Sequence, residues 1–226
     1  MYLVMAAVGL IIAGILVYHE KKKTEFLQIL SACFSAAVYL LIGAKLAGIL
    51  SYAMYCIAEN ITIGFNIFTE SGIVFYGGLL GFLYGLKREK LSQENMQLIS
   101  AVIPLFHAFA RIGCYFSGCC FGKVSRICAL PYPISDPTAM RIPIQLIEAG
   151  GLFILFFVLW YLYRKKKGNI LSLYLISYAV LRFITEFFRG DAVRGILLGL
   201  SFSQYISIIL FLAVICRTVK EKHRGT

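Results

Sequence analysis

The chain has 226 residues, of which 60% are hydrophobic and 15% charged, whereas an ordinary soluble domain carries about 45–50% and about 25%. That composition excludes a soluble globular domain. The net charge of +11 would elsewhere suggest nucleic acid. Here the cations form short runs between long apolar stretches, with no aromatic interleaving for base stacking, so no nucleic acid is expected as a partner.

A helix in lipid satisfies its own backbone hydrogen bonds and needs about 20 apolar residues to cross. Seven apolar runs are candidates, at about 2–18, 26–57, 72–86, 95–121, 143–163, 169–188 and 197–216. The second and fourth are too long for one straight span. Each holds Gly or Pro beside a charge, Gly43 with Lys45 and Pro104 and Gly113 around Arg111, so both are expected to be broken. The predicted fold is an all-α polytopic membrane protein of about seven transmembrane helices, some broken. With no repeat and no long linker, residues 1–226 are expected to form a single transmembrane domain.

The cationic runs Lys21–Lys23, Lys87–Lys90 and Arg164–Lys167, together with Arg217, Lys220, Lys222 and Arg224, alternate with loops that hold only Lys123, Arg126, Arg141, Arg189 and Arg194. The positive-inside rule then predicts an outer N-terminus and a cytoplasmic C-terminus. Met1–Tyr18 has no charged region before its apolar run and Lys21–Lys23 after it, the flanks of an anchoring helix and not of a cleavable signal peptide.

Of seven cysteines, Cys33, Cys56 and Cys216 lie within or at the ends of apolar runs, where Cys acts as a small hydrophobe. Cys114, Cys119, Cys120 and Cys128 cluster at the outer end of the fourth run. No pair among them has the two-residue gap typical of zinc sites, so no metal is expected. A disulfide to Cys128 is one open reading, since the outer face of the membrane is oxidising; free thiols are the other.

Five ionisable residues lie inside the apolar runs: Lys45, Arg111, Glu148, Arg182 and Glu186. Each costs roughly 3 kcal/mol or more at bilayer depth unless it faces a protein interior or a wet cavity. Under the predicted topology all five reach the same half of the membrane, which favours a site over scattered structural ion pairs. Arg182, Glu186 and Arg189 are spaced by four and three, so they stack on one helical face with a carboxylate between two guanidiniums. Arg suits bidentate recognition of phosphate and keeps its charge in an apolar pocket, so a phospholipid headgroup is the expected ligand. Gly77, Gly78, Gly113, Gly118 and Gly122 fit close backbone approach to a ligand or, equally, to another helix. His107 lies four residues before Arg111 and is read as a packed polar residue beside Pro104. No Ser/His/Asp set, dinucleotide loop or phosphate-cradling loop is present, and no cofactor is expected.

With Phe75-Tyr-Gly-Gly-Leu-Leu-Gly81, Arg111-Ile-Gly-Cys-Tyr-Phe-Ser-Gly-Cys-Cys-Phe-Gly122, Pro143-Ile-Gln-Leu-Ile-Glu148 and Leu181-Arg-Phe-Ile-Thr-Glu-Phe-Phe-Arg189, the chain resembles the bacterial prolipoprotein diacylglyceryl transferases. The resemblance implies a multi-pass enzyme of the bacterial cytoplasmic (inner) membrane. Such an enzyme moves the diacylglyceryl group of phosphatidylglycerol, a membrane lipid, onto the lipobox cysteine in the signal peptides of preprolipoproteins and releases glycerol-1-phosphate. It implies that Arg111 and Arg182 bind phosphate with support from Glu186 and Arg189. It also implies that Gln145, Glu148, Gly77, Gly78, Gly113, Cys114, Ser117, Gly118, Cys119 and Gly122 line the substrate cavity.

The chain departs from the family pattern at particular residues. Tyr76 stands where the family has a His, and a phenol with an ordinary pKa near 10 is a weak base at neutral pH, although its hydroxyl can donate to phosphate. Cys114, Ser117 and Cys119 stand where the family has Asn, Asn and Glu. Two routes follow: direct attack by the acceptor thiolate with arginines offsetting the leaving charge, or prior attack by Cys119 or Cys120 and relay through a thioether, which leaves poorly. Transfer to a different acceptor and non-enzymatic lipid binding or transport are the alternative functions.

Overall fold

The computed structural model of the protein describes residues 1–131, 139–191 and 195–224. Arg194 and the middle of the loop between Lys123 and Ile142 lie outside the described residues. Among the described residues the chain forms eight helices: α1 (Tyr2–Glu20), α2 (Lys23–Ala58), α3 (Ile67–Glu70), α4 (Phe75–Arg88), α5 (Gln93–Phe116), α6 (Ile144–Arg164), α7 (Ile170–Glu186) and α8 (Phe202–Arg224). Two antiparallel hairpins complete it, β1 (Leu130–Pro131) with β2 (Met140–Arg141) and β3 (Ile196–Leu197) with β4 (Leu200–Ser201). The chain is an all-α polytopic membrane protein: α1, α2, α5, α6 and α8 are long and apolar enough to cross a bilayer.

Two expectations about the spans need correction. The second apolar run is not broken: α2 is one helix of 36 residues, about 54 Å long, well beyond the hydrocarbon thickness of about 30 Å. The fourth run is likewise continuous through Pro104 and Gly113, and leaves the helical path only after Phe116. The residues that suggested breaks have other roles. The Lys45 ammonium donates to the Ser71 carbonyl at 2.6 Å, and Gly43 serves helix packing. In addition, α4 and α7, expected as spans, have only 14 and 17 residues.

The chain divides into two compact units, one of Met1–Glu20, Gln97–Asp191 and Ser207–Thr226, the other of Lys21–Met96 and Ala192–Ile206. In the second, α2 packs on α4 through small residues. A Cβ on Gly77 would stand 2.2 Å from the Gly43 carbonyl oxygen, and one on Gly81 would stand 2.1 Å from that of Tyr39. Gly77, Gly81 and Gly85 recur every fourth residue and so present one bare stripe of α4. Lipid tails are as apolar as the side chains, so such helices gain by close van der Waals packing, which small residues permit. An apolar groove of about 460 Å³ runs along this seam, lined by Leu46, Leu50, Gly77, Leu80 and Tyr84 among others. The entry to α8 in this unit is a reciprocal cap: Ser201 N–H donates to Gln204 Oε1 at 2.9 Å and Gln204 N–H to Ser201 Oγ at 3.3 Å.

In the first unit the first turn of α7 is capped twice. Asn169 Oδ1 accepts from Ser172 N–H at 3.1 Å, and Gln97 Oε1 of α5 accepts from the N–H groups of Ile170 and Leu171 at 2.6 and 3.2 Å. These bonds fix the start of the helix that carries Arg182 and Glu186.

Candidate active site

Helices α5, α6 and α7 of the first unit bring buried charges together. Glu148, one turn into α6, takes Arg111 Nη2 of α5 at 3.0 Å on one oxygen and Arg182 Nη1 of α7 at 3.2 Å on the other. Arg182 Nη2 then meets Glu186 at 2.7 Å, and Arg189 Nη1 lies 3.7 Å from the same carboxylate. Arg189 ends the chain of charges with a two-pronged pair to Asp191, its Nε donating at 2.9 Å. Arg111, Arg182, Arg189, Glu148 and Glu186 are all buried. Isolated buried charges of this kind cost several kcal/mol each, and alternation of sign along the chain offsets that cost.

The helical stacking of Arg182, Glu186 and Arg189 is as expected from their spacing. The bridge by Glu148 is tertiary, since it joins positions 34 residues apart. Asp191 was missed. It lies two residues after Arg189 and beyond the apolar run, where an acid carries no transfer cost to single it out.

The arginines are not equivalent. Arg182 and Arg189 each contact two carboxylates. Among the described residues Arg111 pairs with one carboxylate, Glu148, and its buried Nε has no acceptor. Arg111 therefore keeps donors for a further anion. His107, one turn earlier, is buried and meets the Tyr178 ring edge-on, with centroids 5.1 Å apart, which agrees with the packed reading.

Beyond α5 the chain folds into a turn held by its own backbone. Ser117 N–H donates to the Gly113 carbonyl at 3.0 Å, and Cys119 N–H to that of Cys114 at 3.2 Å. Gly118 and Cys120 adopt left-handed backbone angles, with φ of +67° and +58°. A β-carbon makes that conformation uncommon, so Cys120 is held there by its surroundings. Gln145, buried at the start of α6, donates to the Cys119 carbonyl at 2.7 Å. The next residues are clamped on both sides. Gly190 N–H donates to Phe121 O and Lys123 N–H to Phe188 O, both at 2.9 Å. A Cβ on Gly122 would lie 2.2 Å from the Ile142 carbonyl oxygen. Gly113 backs onto α1, where a Cβ would meet Tyr2 at 3.1 Å. Gly113 and Gly122 thus stand at backbone-to-backbone contacts.

The turn gathers three thiols. The sulfurs of Cys114, Cys119 and Cys120 lie within 4.8 Å of one another, Cys114 buried and Cys119 exposed. The Cys120 thiol is held well below the ordinary thiol range. Hydrogen bonds from the Cys114 and Cys119 thiols are the main cause, and the guanidiniums of Arg189 and Arg111 add to them against the opposing effect of burial. Cys128 is a free, exposed thiol, so the structure holds no disulfide at that position.

Tyr76, Gly77 and Gly78 belong to the second unit. Tyr76 is in the first turn of α4 and is buried. Gly77 faces Gly43 and Ala47 across the seam, and Gly78 faces Ala44 and Leu40.

A family model described as prolipoprotein diacylglyceryl transferase matches residues 1–219. The phosphatidylglycerol-prolipoprotein diacylglyceryl transferase of Clostridium tetani is 34% identical over 220 residues, covering 92% of this chain and 87% of the relative. Its namesake in Idiomarina loihiensis is 31% identical over 212 residues, covering 88% and 77%. The second such enzyme of Clostridium perfringens is 30% identical over 206 residues, covering 85% and 80%. With the family model matching almost the whole sequence, the chain belongs to the prolipoprotein diacylglyceryl transferase family.

Proposed function

We propose that this protein transfers the diacylglyceryl group of phosphatidylglycerol to the lipobox cysteine thiol of preprolipoprotein signal peptides, in the bacterial inner membrane. The observation that carries this reading is Arg111, a buried guanidinium with a single carboxylate contact and an unengaged Nε. Charge-assisted bonds to a phosphate diester suit such a group. Arg111 takes the phosphate directly, while Arg182, engaged by Glu148 and Glu186, adds its charge from behind. Glu186, Arg189, Glu148 and Gln145 hold these groups in place. The turn from Gly113 to Gly122, with Cys114, Ser117, Gly118 and Cys119, forms the acceptor side of the cavity. Tyr76, Gly77 and Gly78, in α4 of the second unit, are assigned to the reaction by the family resemblance alone.

In the reaction, the acceptor thiolate attacks the glyceryl carbon that bears the phosphate ester. A sulfur–carbon bond forms, the carbon–oxygen bond breaks, and the electron pair leaves on glycerol-1-phosphate. The leaving group gains one negative charge, which is where the Arg111 donors stabilise the transition state more than the ground state. The test is mass spectrometry of a lipobox peptide incubated with the full-length protein and phosphatidylglycerol, with an assay for released glycerol phosphate. The expected result is a diacylglyceryl mass increase on the peptide cysteine, reduced on the order of 10²–10³-fold by Arg111→Ala in protein that remains folded. An unmodified peptide overturns the reading. Glycerol phosphate release without peptide modification would then point to another acceptor.

A further inference from the structure

The cysteine turn carries chemistry that the phosphate site does not use. Three sulfurs within 4.8 Å of one another are contributed by the last turn of α5 and by two consecutive residues of the following turn. In an extended segment consecutive side chains point to opposite sides. The left-handed angle at Cys120, which follows the left-handed Gly118, lets Cys119 and Cys120 turn toward Cys114 together. Metal–sulfur bonds of about 2.3 Å in tetrahedral geometry separate sulfurs by about 3.8 Å, so the three need approach by no more than about 1 Å to share an ion. The cradle is built from the backbone: Gln145 fixes the Cys119 carbonyl at 2.7 Å, and the bonds from Gly190 and Lys123 hold the chain just beyond.

We propose that Cys114, Cys119 and Cys120 form a three-thiolate site for one thiophilic metal ion of the zinc class, whose fourth position receives the thiol sulfur of the acceptor peptide. The second half of this proposal rests on the transferase reading above. Three thiolates and a divalent ion sum to one negative charge. Cys119 is exposed, which gives an entry path to the open position. Metal uptake releases the thiol protons to water, including the one that Cys119 donates to the Cys114 carbonyl at 3.6 Å. The acceptor thiol likewise gives its proton to water on binding as the fourth ligand. Its sulfur then forms the bond to the glyceryl carbon while the carbon–oxygen bond breaks and the pair departs on glycerol phosphate. A sulfur deprotonated in this way needs no side-chain base.

The experiment uses full-length protein in detergent, reduced with a phosphine and stripped of metal, then titrated with Cd²⁺ and Zn²⁺. The expected result is one equivalent bound, with a thiolate-to-cadmium charge-transfer band in the ultraviolet. Binding should weaken at least tenfold in each of Cys114→Ser, Cys119→Ser and Cys120→Ser and stay unchanged in Cys128→Ser. Thermal melts of each variant without metal separate lost ligation from lost folding. A lipobox peptide added to Co²⁺-loaded protein should shift the visible spectrum, and its Cys→Ser counterpart should not. No band in the reduced protein, or a band that survives replacement of all three cysteines, overturns the site. Full diacylglyceryl transfer by stripped protein overturns its role while leaving the transferase reading intact. Stoichiometric binding with no transfer under any loading supports the metal site and refutes the transferase reading.

Discussion

The charged chain of the first unit and the glycine seam of the second hold helices together by opposite means. Along the seam, Gly43, Gly77, Gly81 and Gly85 bring α2 and α4 within backbone contact by having nothing to interpose. In the charged chain, Arg111, Glu148, Arg182, Glu186, Arg189 and Asp191 link α5, α6, α7 and the segment after α7 through long side chains that occupy the space between them. The seam is the economical solution in lipid, because it leaves no polar group to satisfy. The charged chain is the expensive one, and six ionised groups are better explained by a ligand that needs them than by packing.

The two regions should therefore respond differently to substitution. The largest effect is expected for Glu148→Ala, which strips the shared carboxylate from two buried guanidiniums. Breaking a buried pair costs about 3–5 kcal/mol, and the folded fraction surviving a heat step, followed by size-exclusion fluorescence, should collapse. Arg111→Ala should be milder in the same assay, because Glu148 keeps Arg182, although it removes turnover. If the two variants melt alike, the Glu148 bridge is not the keystone of the site.

On the seam, Gly81→Ala drives a methyl toward the Tyr39 carbonyl at 2.1 Å and should cost about 1–3 kcal/mol through forced separation of α2 and α4. Gly14→Ala in α1, where a Cβ meets nothing within 4 Å, should instead gain about 0.5–1 kcal/mol from helix propensity. Equal melting shifts would show that helix propensity outweighs packing along the seam. The smallest loss is expected for Asn169→Ala, about 1 kcal/mol for the missing cap on Ser172 N–H. The Gln97 bonds to Ile170 and Leu171 persist in that variant and limit fraying, which hydrogen exchange at the first turn of α7 would measure.

Much of the site was legible where chemistry followed local periodicity. Arg182, Glu186 and Arg189 could be stacked from spacing alone because a helix repeats every 3.6 residues. Arg111 and Glu148 could be singled out because charge in an apolar run is costly wherever it falls. Their joining through Glu148 was not legible, since no local rule relates α5, α6 and α7. The continuity of α2 is not legible for a related reason: a glycine in a long apolar run reads equally as a break or as a packing surface, and Gly77 on another helix decides which. The cysteine cluster is legible in the sequence, but a metal is not expected there because common zinc sites place ligands two residues apart. That gap brings two thiols to one side of a turn, and here a helix end and a left-handed cysteine do the same with other spacing.

The sequence by itself determined that this protein lives in a membrane, that its helices alternate with basic segments, and which charges lie within its apolar runs. These follow from the transfer cost of each side chain and from helical periodicity, both properties of short stretches of chain. Only the tertiary structure decided which guanidinium keeps a donor unengaged, which glycines are contacts between helices, and which cysteines meet. Those outcomes depend on distances of a few ångströms between segments far apart in sequence, fixed by the packing of α2 on α4 in one unit and of α5, α6 and α7 in the other.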